Sequence, residues 1–213
     1  MAGMEGKRMF DAMSLAEFVQ AAASDAPTPG GGGVAALAGS LGAAMASMAA
    51  NFTVGRPKFA SVDAEARAAV NALAPLVAGL LKGVDRDAEA FAAISAAFKL
   101  PRDGDSEAVA RREAIRAALA GAMRAPLAVL EDCLKVAERL PGLAAIANPN
   151  LLSDVEVAAI LIEAAGRAAR VNVLVNAGQL GGHAEAEAEA ARAVERLAEL
   201  LRTTLGEVAK RRS

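Results

Sequence analysis

Tryptophan and tyrosine are absent from this 213-residue chain, and histidine and cysteine occur once each. With Cys133 alone no intramolecular disulfide can form, so a reducing compartment, the cytoplasm, is the expected setting. A single histidine and a single cysteine cannot build a zinc site between them, and nothing marks a carboxylate-only site, so no metal is expected. Neither sign of charge dominates: 25 acidic and 23 basic residues leave a formal charge of −2, which gives no reason to expect a nucleic-acid partner. The first residues lack the continuous apolar core of a signal peptide. Residues 1–13 therefore read as a flexible N-terminal tail, and 14–213 as a single domain of ample size for a core.

What is present is aliphatic. Hydrophobic residues make up 54 % of the chain while aromatics make up 3 %, so the apolar weight falls on Ala, Leu and Val. Alanine has the best helix propensity, and close-packed helices are the natural outcome. The chain is organised around Pro27-Thr28-Pro29-Gly30-Gly31-Gly32-Gly33 and the uncharged small-residue run from Val34 to Asn51. A phosphate-binding loop here would need a preceding strand and a Gly-Lys-Ser/Thr ending, and there is no lysine. A membrane span is favoured by length but not by content, since Ala, Gly and Ser stand where Leu, Ile and Phe would be needed. The leading reading is a buried central helix, wrapped by others, whose N-terminal N–H groups face a polar ligand. The expected fold is all-α, a multihelical bundle around that helix.

The remaining elements follow in order. Ser14-Leu15-Ala16-Glu17 is a capping box that opens a short helix. Gly55 and Pro57 break the chain after the central helix, and Arg56 and Lys58 in the break are either a solvated turn or ligand-facing cations. From Ser61 to Leu100 the pattern is helical, with Pro75 a potential kink, and one seam runs Leu73, Val77, Leu80, Val84, Asp87, Phe91, Ile94, Phe98. Asp87 stands on that seam where an aliphatic residue belongs, whereas Asp85 and Glu89 fall off it and read as solvated. A charge among apolar neighbours is costly unless it is used, either to cap or pair with a neighbouring element or to move protons. Ser106 or Asp105 is expected to cap the next helix, Cys133 to be a packed thiol, and Pro141-Gly142 to close its segment. Asn148-Pro149-Asn150 forms a second unusual loop, with Ser153 or Asp154 as the next cap. Asn172 and Asn176 then share one face of a further helix, Gly181-Gly182 ends it, and an amphipathic helix closes the chain.

Taken in order, several of these stretches resemble the cyclodeaminase/methenyltetrahydrofolate cyclohydrolase family. They are Pro27-Thr28-Pro29-Gly30-Gly31-Gly32, Thr53-Val54-Gly55-Arg56, Asp85-Arg86-Asp87-Ala88-Glu89-Ala90-Phe91, Lys99-Leu100-Pro101, Asn148-Pro149-Asn150 with Ser153-Asp154, and Asn172 with Asn176. The resemblance implies an all-helical homodimer, a tetrahydrofolate derivative as substrate with no tightly bound cofactor, and chemistry at the carbon bridging N5 and N10. It implies the catalytic aspartate within Asp85–Phe91, where the seam independently selects Asp87. By position it implies substrate-binding roles for Gly30, Gly31 and Gly32, for Arg56 and Lys58, and for Asn148, Asp154, Asn172 and Asn176. Pro57 and Phe59 stand where many members carry a second lysine and a tyrosine, Ala147 replaces a glycine, and Pro141–Ala147 reads as a shortened loop. These departures leave open a binding module of the same fold without turnover. The sequence does not choose between deamination and hydrolysis.

Overall fold

In the computed structural model, residues 9–212 are described, and among them there is no strand. Helices α1 (Leu15–Ala22), α2 (Gly31–Asn51), α3 (Asp63–Phe98), α4 (Asp105–Ala122), α5 (Arg124–Ala137), α6 (Leu140–Ile146), α7 (Leu152–Gln179) and α8 (Ala184–Arg212) follow one another with short connections. The capping box is present: Glu17 N donates to Ser14 Oγ and Ser14 N donates to the Glu17 carboxylate. Most of the expected tail, residues 1–8, lies outside the described residues. The end of that stretch is not loose, because Phe10–Ala12 forms a 3₁₀ turn and Phe10 packs edge-on against Phe18 with ring centroids 6.4 Å apart.

Helix α2 is the axis of the molecule, and its small residues explain why. It packs against both α3 and α7, each antiparallel to it. At Gly83 of α3 an added Cβ would meet Ala36 Cβ at 2.9 Å, and at Gly42 of α2 it would meet Ile162 of α7 at 2.9 Å. A Cβ added to Gly39 would stand 3.2 Å from the Cys133 thiol of α5. Cys133 is thus a core thiol, fully buried, and burial pushes it up to about 12. Ser40, the polar member of the buried face, donates to Val77 O at 3.0 Å. Helix α8 lies over α7 and α5, where Leu197 fills the space beside Gly166.

Several expectations need correction. Helix α2 is wrapped on most of its circumference but not all of it, since Val34 and Leu41 remain 44 % and 47 % exposed. It begins at Gly31, so three glycines form its first turn rather than a loop before it. Pro75 does not interrupt α3. Pro141-Gly142 opens α6 instead of closing a segment, because proline's missing N–H costs nothing in a first turn. Neither Ser106 nor Asp105 caps α4, whose N-cap is Gly104, and no side chain caps α7. Gly55, with φ 69°, and the Gly181-Gly182 pair, with φ 82° and 107°, do provide the left-handed breaks.

The close approach of α2 and α3 generates a pair of outcomes. Gly83→Val forces a branched side chain against Ala36 and is expected to lower unfolding free energy by about 2 kcal/mol or more. Gly206→Ala, in α8 with nothing within 4 Å, should raise it by about 1 kcal/mol. Urea midpoints of the two variants measure both, and a neutral Gly83→Val would mean that the two helices do not need their contact.

Candidate active site

Residues from four helices converge at the N-terminal end of α2. A cleft of about 250 Å³ is bounded by Gly30–Gly32, by Asp87, Phe91 and Ile94 of α3, by Ala122 at the end of α4, and by Asn172, Val175 and Asn176 of α7. The glycines are there for the carboxylate. A Cβ on Gly32 would stand 2.0 Å from Asp87 Oδ1, so only glycine lets the side chain lie against the helix end. Asp87 Oδ2 then accepts a hydrogen bond from Gly33 N at 2.9 Å. The first N–H groups of a helix lack partners within it and carry partial positive charge, so an anion there is stabilised.

Two opposing influences act on Asp87. Burial disfavours the charged form and pushes the carboxyl above the ordinary aspartate value, while the Gly33 hydrogen bond pulls it down; burial is the larger. Of the two readings left open from the sequence, the structure shows the cap, and it also places Asp87 in the lining of the cleft. The carboxyl is thus half-buried, with one oxygen tethered, in the wall of the cleft.

The α3 seam explains the rest of that wall. Leu73, Leu80 and Val84 are buried, but from Asp87 onward the seam leaves the core, and Phe91 and Phe98 are 41 % and 50 % exposed. Phe91 and Ile94 thus line the cleft one and two turns beyond Asp87. Asp85 departs from expectation: it is buried, 6 % exposed, and its Oδ1 accepts from Phe10 N at 2.7 Å. It holds the N-terminal turn onto α3. Thr28 and Gln179 also border the cleft and were not anticipated, although Gln179 lies one turn beyond Asn176 on the same face. Ala122 carried no sequence signal, because only tertiary packing brings the end of α4 here.

The other anticipated residues lie elsewhere. Arg56 and Lys58 are exposed beyond the C-terminus of α2, which at 21 residues and about 1.5 Å each puts them about 30 Å from its first turn. Asn148 is at that far end too, where its backbone N–H donates to Thr53 Oγ1 at 2.9 Å and its side chain accepts from Asn150 N at 3.1 Å. Arg211 holds the same loop by donating to Ala144 O and Ala147 O at 2.8 and 2.7 Å. Asp154 follows in the first turn of α7. Within one chain, Gly30–Gly32, Asp87, Asn172 and Asn176 come together, while Arg56, Lys58, Asn148 and Asp154 form a separate group. Among the described residues, no three His, Cys, Asp or Glu side chains are grouped so as to hold a metal ion.

The site is thus a half-buried aspartate at the glycine-rich start of the central helix of an all-helical domain. Comparison with known proteins then identifies the family. A profile described as formiminotransferase-cyclodeaminase matches residues 14–196, and the chain belongs to that family. It is 38 % identical over 174 residues to the methenyltetrahydrofolate cyclohydrolase of Methylorubrum extorquens, covering 82 % of this chain and 84 % of that protein. It is also 38 % identical over 163 residues to the formimidoyltransferase-cyclodeaminase of Rattus norvegicus, covering 76 % of this chain but only 30 % of the longer relative. The crystal structure of formiminotetrahydrofolate cyclodeaminase from Thermotoga maritima superposes with a TM-score of 0.77 at 29 % identity, covering 94 % of this chain and 96 % of that one.

The state of Asp87 has a consequence for stability. Its folded-state value is raised, so the folded chain holds this proton to higher pH than the unfolded chain does. The contribution of Asp87 to stability therefore falls as pH rises from the ordinary aspartate value through the raised one, and neutral pH carries the full penalty. Asp87→Asn keeps an oxygen for Gly33 N and removes the charge, so it should be more stable than wild type at pH 7. The gain should shrink at about pH 4, because the folded carboxyl takes up its proton at higher pH than the unfolded one does. Denaturation curves at the two pH values test this, and a difference independent of pH would contradict it.

Proposed function

We propose that this chain is a folate-dependent one-carbon enzyme acting at the N5/N10 bridge of tetrahydrofolate. It converts 5-formiminotetrahydrofolate to 5,10-methenyltetrahydrofolate with release of ammonia, hydrolyses 5,10-methenyltetrahydrofolate to 10-formyltetrahydrofolate, or does both. The observation that carries this reading is Asp87, raised by burial, tethered by Gly33 and lining the cleft. In the deamination, N10 attacks the carbon of the protonated formimino group; Asp87 takes the N10 proton and returns it to the nitrogen, which leaves as ammonia as the methenyl cation forms. In the hydrolysis, water attacks the methenyl carbon; Asp87 takes one of its protons and passes it to N5 as the C–N5 bond breaks, and the remaining hydroxyl proton is released to solvent as the formyl C=O forms. The methenyl carbon shares a positive charge with both nitrogens, so an adjacent carboxylate also stabilises it electrostatically. Phe91 and Ile94 supply an apolar wall for the ring system.

The distant group enters through a second copy. Val34 and Leu41 of α2 and Val157, Ile160, Val171, Leu174 and Val175 of α7 are all 36 % or more exposed on two helices that pack together. An apolar stripe of this kind is suited to self-association. A homodimer whose stripes cross antiparallel would set Arg56 and Lys58 of one copy beside Asp87 of the other, where they suit the carboxylates of the glutamate tail. Asn148 and Asp154 would accompany them. The protein is cytoplasmic in this reading, works without a tightly bound cofactor, and has neither a membrane nor a nucleic acid as partner.

Absorbance of the methenyl chromophore tests the proposal. Enzyme-dependent gain from 5-formiminotetrahydrofolate means cyclodeaminase, and accelerated loss from 5,10-methenyltetrahydrofolate means cyclohydrolase. Asp87→Asn should lower kcat by about 10²–10⁴-fold, and Gly32→Ala, which displaces the carboxylate, by about 10²-fold. Arg56→Ala should raise KM while leaving kcat nearly unchanged. If neither signal moves with wild type, the enzymatic reading fails.

A further inference from the structure

The two carboxamides of α7 have their orientation dictated by what they bond. Asn172 Nδ2 donates to Ala168 O at 3.0 Å, and Asn176 Nδ2 donates to Ala122 O at 3.3 Å. A backbone carbonyl only accepts, so each amide must turn its NH₂ towards the protein and leave its oxygen for the cleft. Both side chains are half-buried there, and among the described residues neither oxygen receives a hydrogen bond. Asn172 Oδ1 lies 3.6 Å from the position a Gly31 Cβ would take, against the first turn of α2. Asp87, whose Oδ2 accepts from Gly33 N, lines the same cleft from α3. Gln179 lies on the same face of α7 without a fixed partner, and so imposes no orientation of its own.

We infer that Asn172 and Asn176 are specificity-determining residues that read a ligand edge bearing adjacent N–H donors. This rests on the folate reading above. A reduced pterin presents neighbouring donors at its 2-amino group and N3–H, whereas its O4 side would set acceptor against acceptor. The pterin therefore enters with its 2-amino/N3–H edge on α7, leaving the N5/N10 side for Asp87 on the α3 wall. The resemblance implied only that these asparagines bind substrate; the structure leaves them as acceptors, because Ala168 O and Ala122 O occupy the donor ends.

The test measures binding, without turnover, by titration calorimetry with 5-formyltetrahydrofolate and with its analogue carrying a 2-oxo group in place of the 2-amino group. Exchanging that donor for an acceptor leaves a protein oxygen unsatisfied, and wild type should prefer the 2-amino ligand by about 10- to 100-fold. In Asn172→Ala or Asn176→Ala the preference should fall to about threefold or less, mostly through lost affinity for the 2-amino ligand. Asn176→Asp, which keeps an oxygen in place, should retain the preference. Equal weakening of both ligands in both alanine variants, or no discrimination by wild type, overturns the inference while leaving the folate reading intact. If wild type binds neither ligand, the folate reading itself fails and this inference falls with it.

Discussion

The hydrogen bond from Gly33 N to Asp87 is the constraint on which the rest of the site depends. It joins the start of α2 to the middle of α3, and it forms only because Gly32 has no side chain to occupy the 2.0 Å between its Cβ position and the carboxylate. Helix α2 is thereby located against α3 at one end. The small residues along the same interface, Ala36 against Gly83 and Gly39 against Leu80, let the two backbones stay close over several turns. The opposite face of α2 repeats the device against α7 through Gly42. A core built from alanine and glycine gains less from each buried side chain than one built from leucine, but it brings helix ends, and the polar groups on them, within hydrogen-bond reach of one another.

That proximity sets a tension between folding and chemistry. Burial of Asp87 disfavours the charged form, and the Gly33 N–H together with the positive end of α2 partly offsets the penalty. A carboxyl held between those influences keeps its proton to higher pH than a solvated aspartate does. Asp85, two residues earlier, shows the contrast. It is more deeply buried, yet it faces the N-terminal turn, where it binds Phe10 N and is kept out of the cleft.

The length of α2 separates two polar groups that the sequence alone had merged into one list. Asp87, Asn172 and Asn176 gather at its start, while Arg56, Lys58, Asn148 and Asp154 gather at its end, about 30 Å away. Antiparallel packing of α2 and α7 accounts for the division, since residues late in α7 then meet the beginning of α2. Exposed aliphatic residues of α2 and α7 lie between the two ends.

What the sequence by itself determined was helical class, the central place of the small-residue run, and the singling out of Asp87 from its neighbours. All three follow from periodicity and composition, which act locally: an aspartate on a 3–4 spaced apolar seam is visible without any knowledge of what faces it. The resemblance of ordered motifs located the family by the same linear logic. Tertiary structure alone decided that the seam becomes a cleft wall at Phe91, that Asp85 is buried, that Ala122 of a distant helix takes the donor end of Asn176, and that the cationic group lies at the far end of α2. It also made a helix of Pro141-Gly142, which local turn chemistry had marked as a stop. Each of these depends on a partner distant in the chain or on the space a neighbouring helix leaves, and no spacing along one helix encodes what packs across from it.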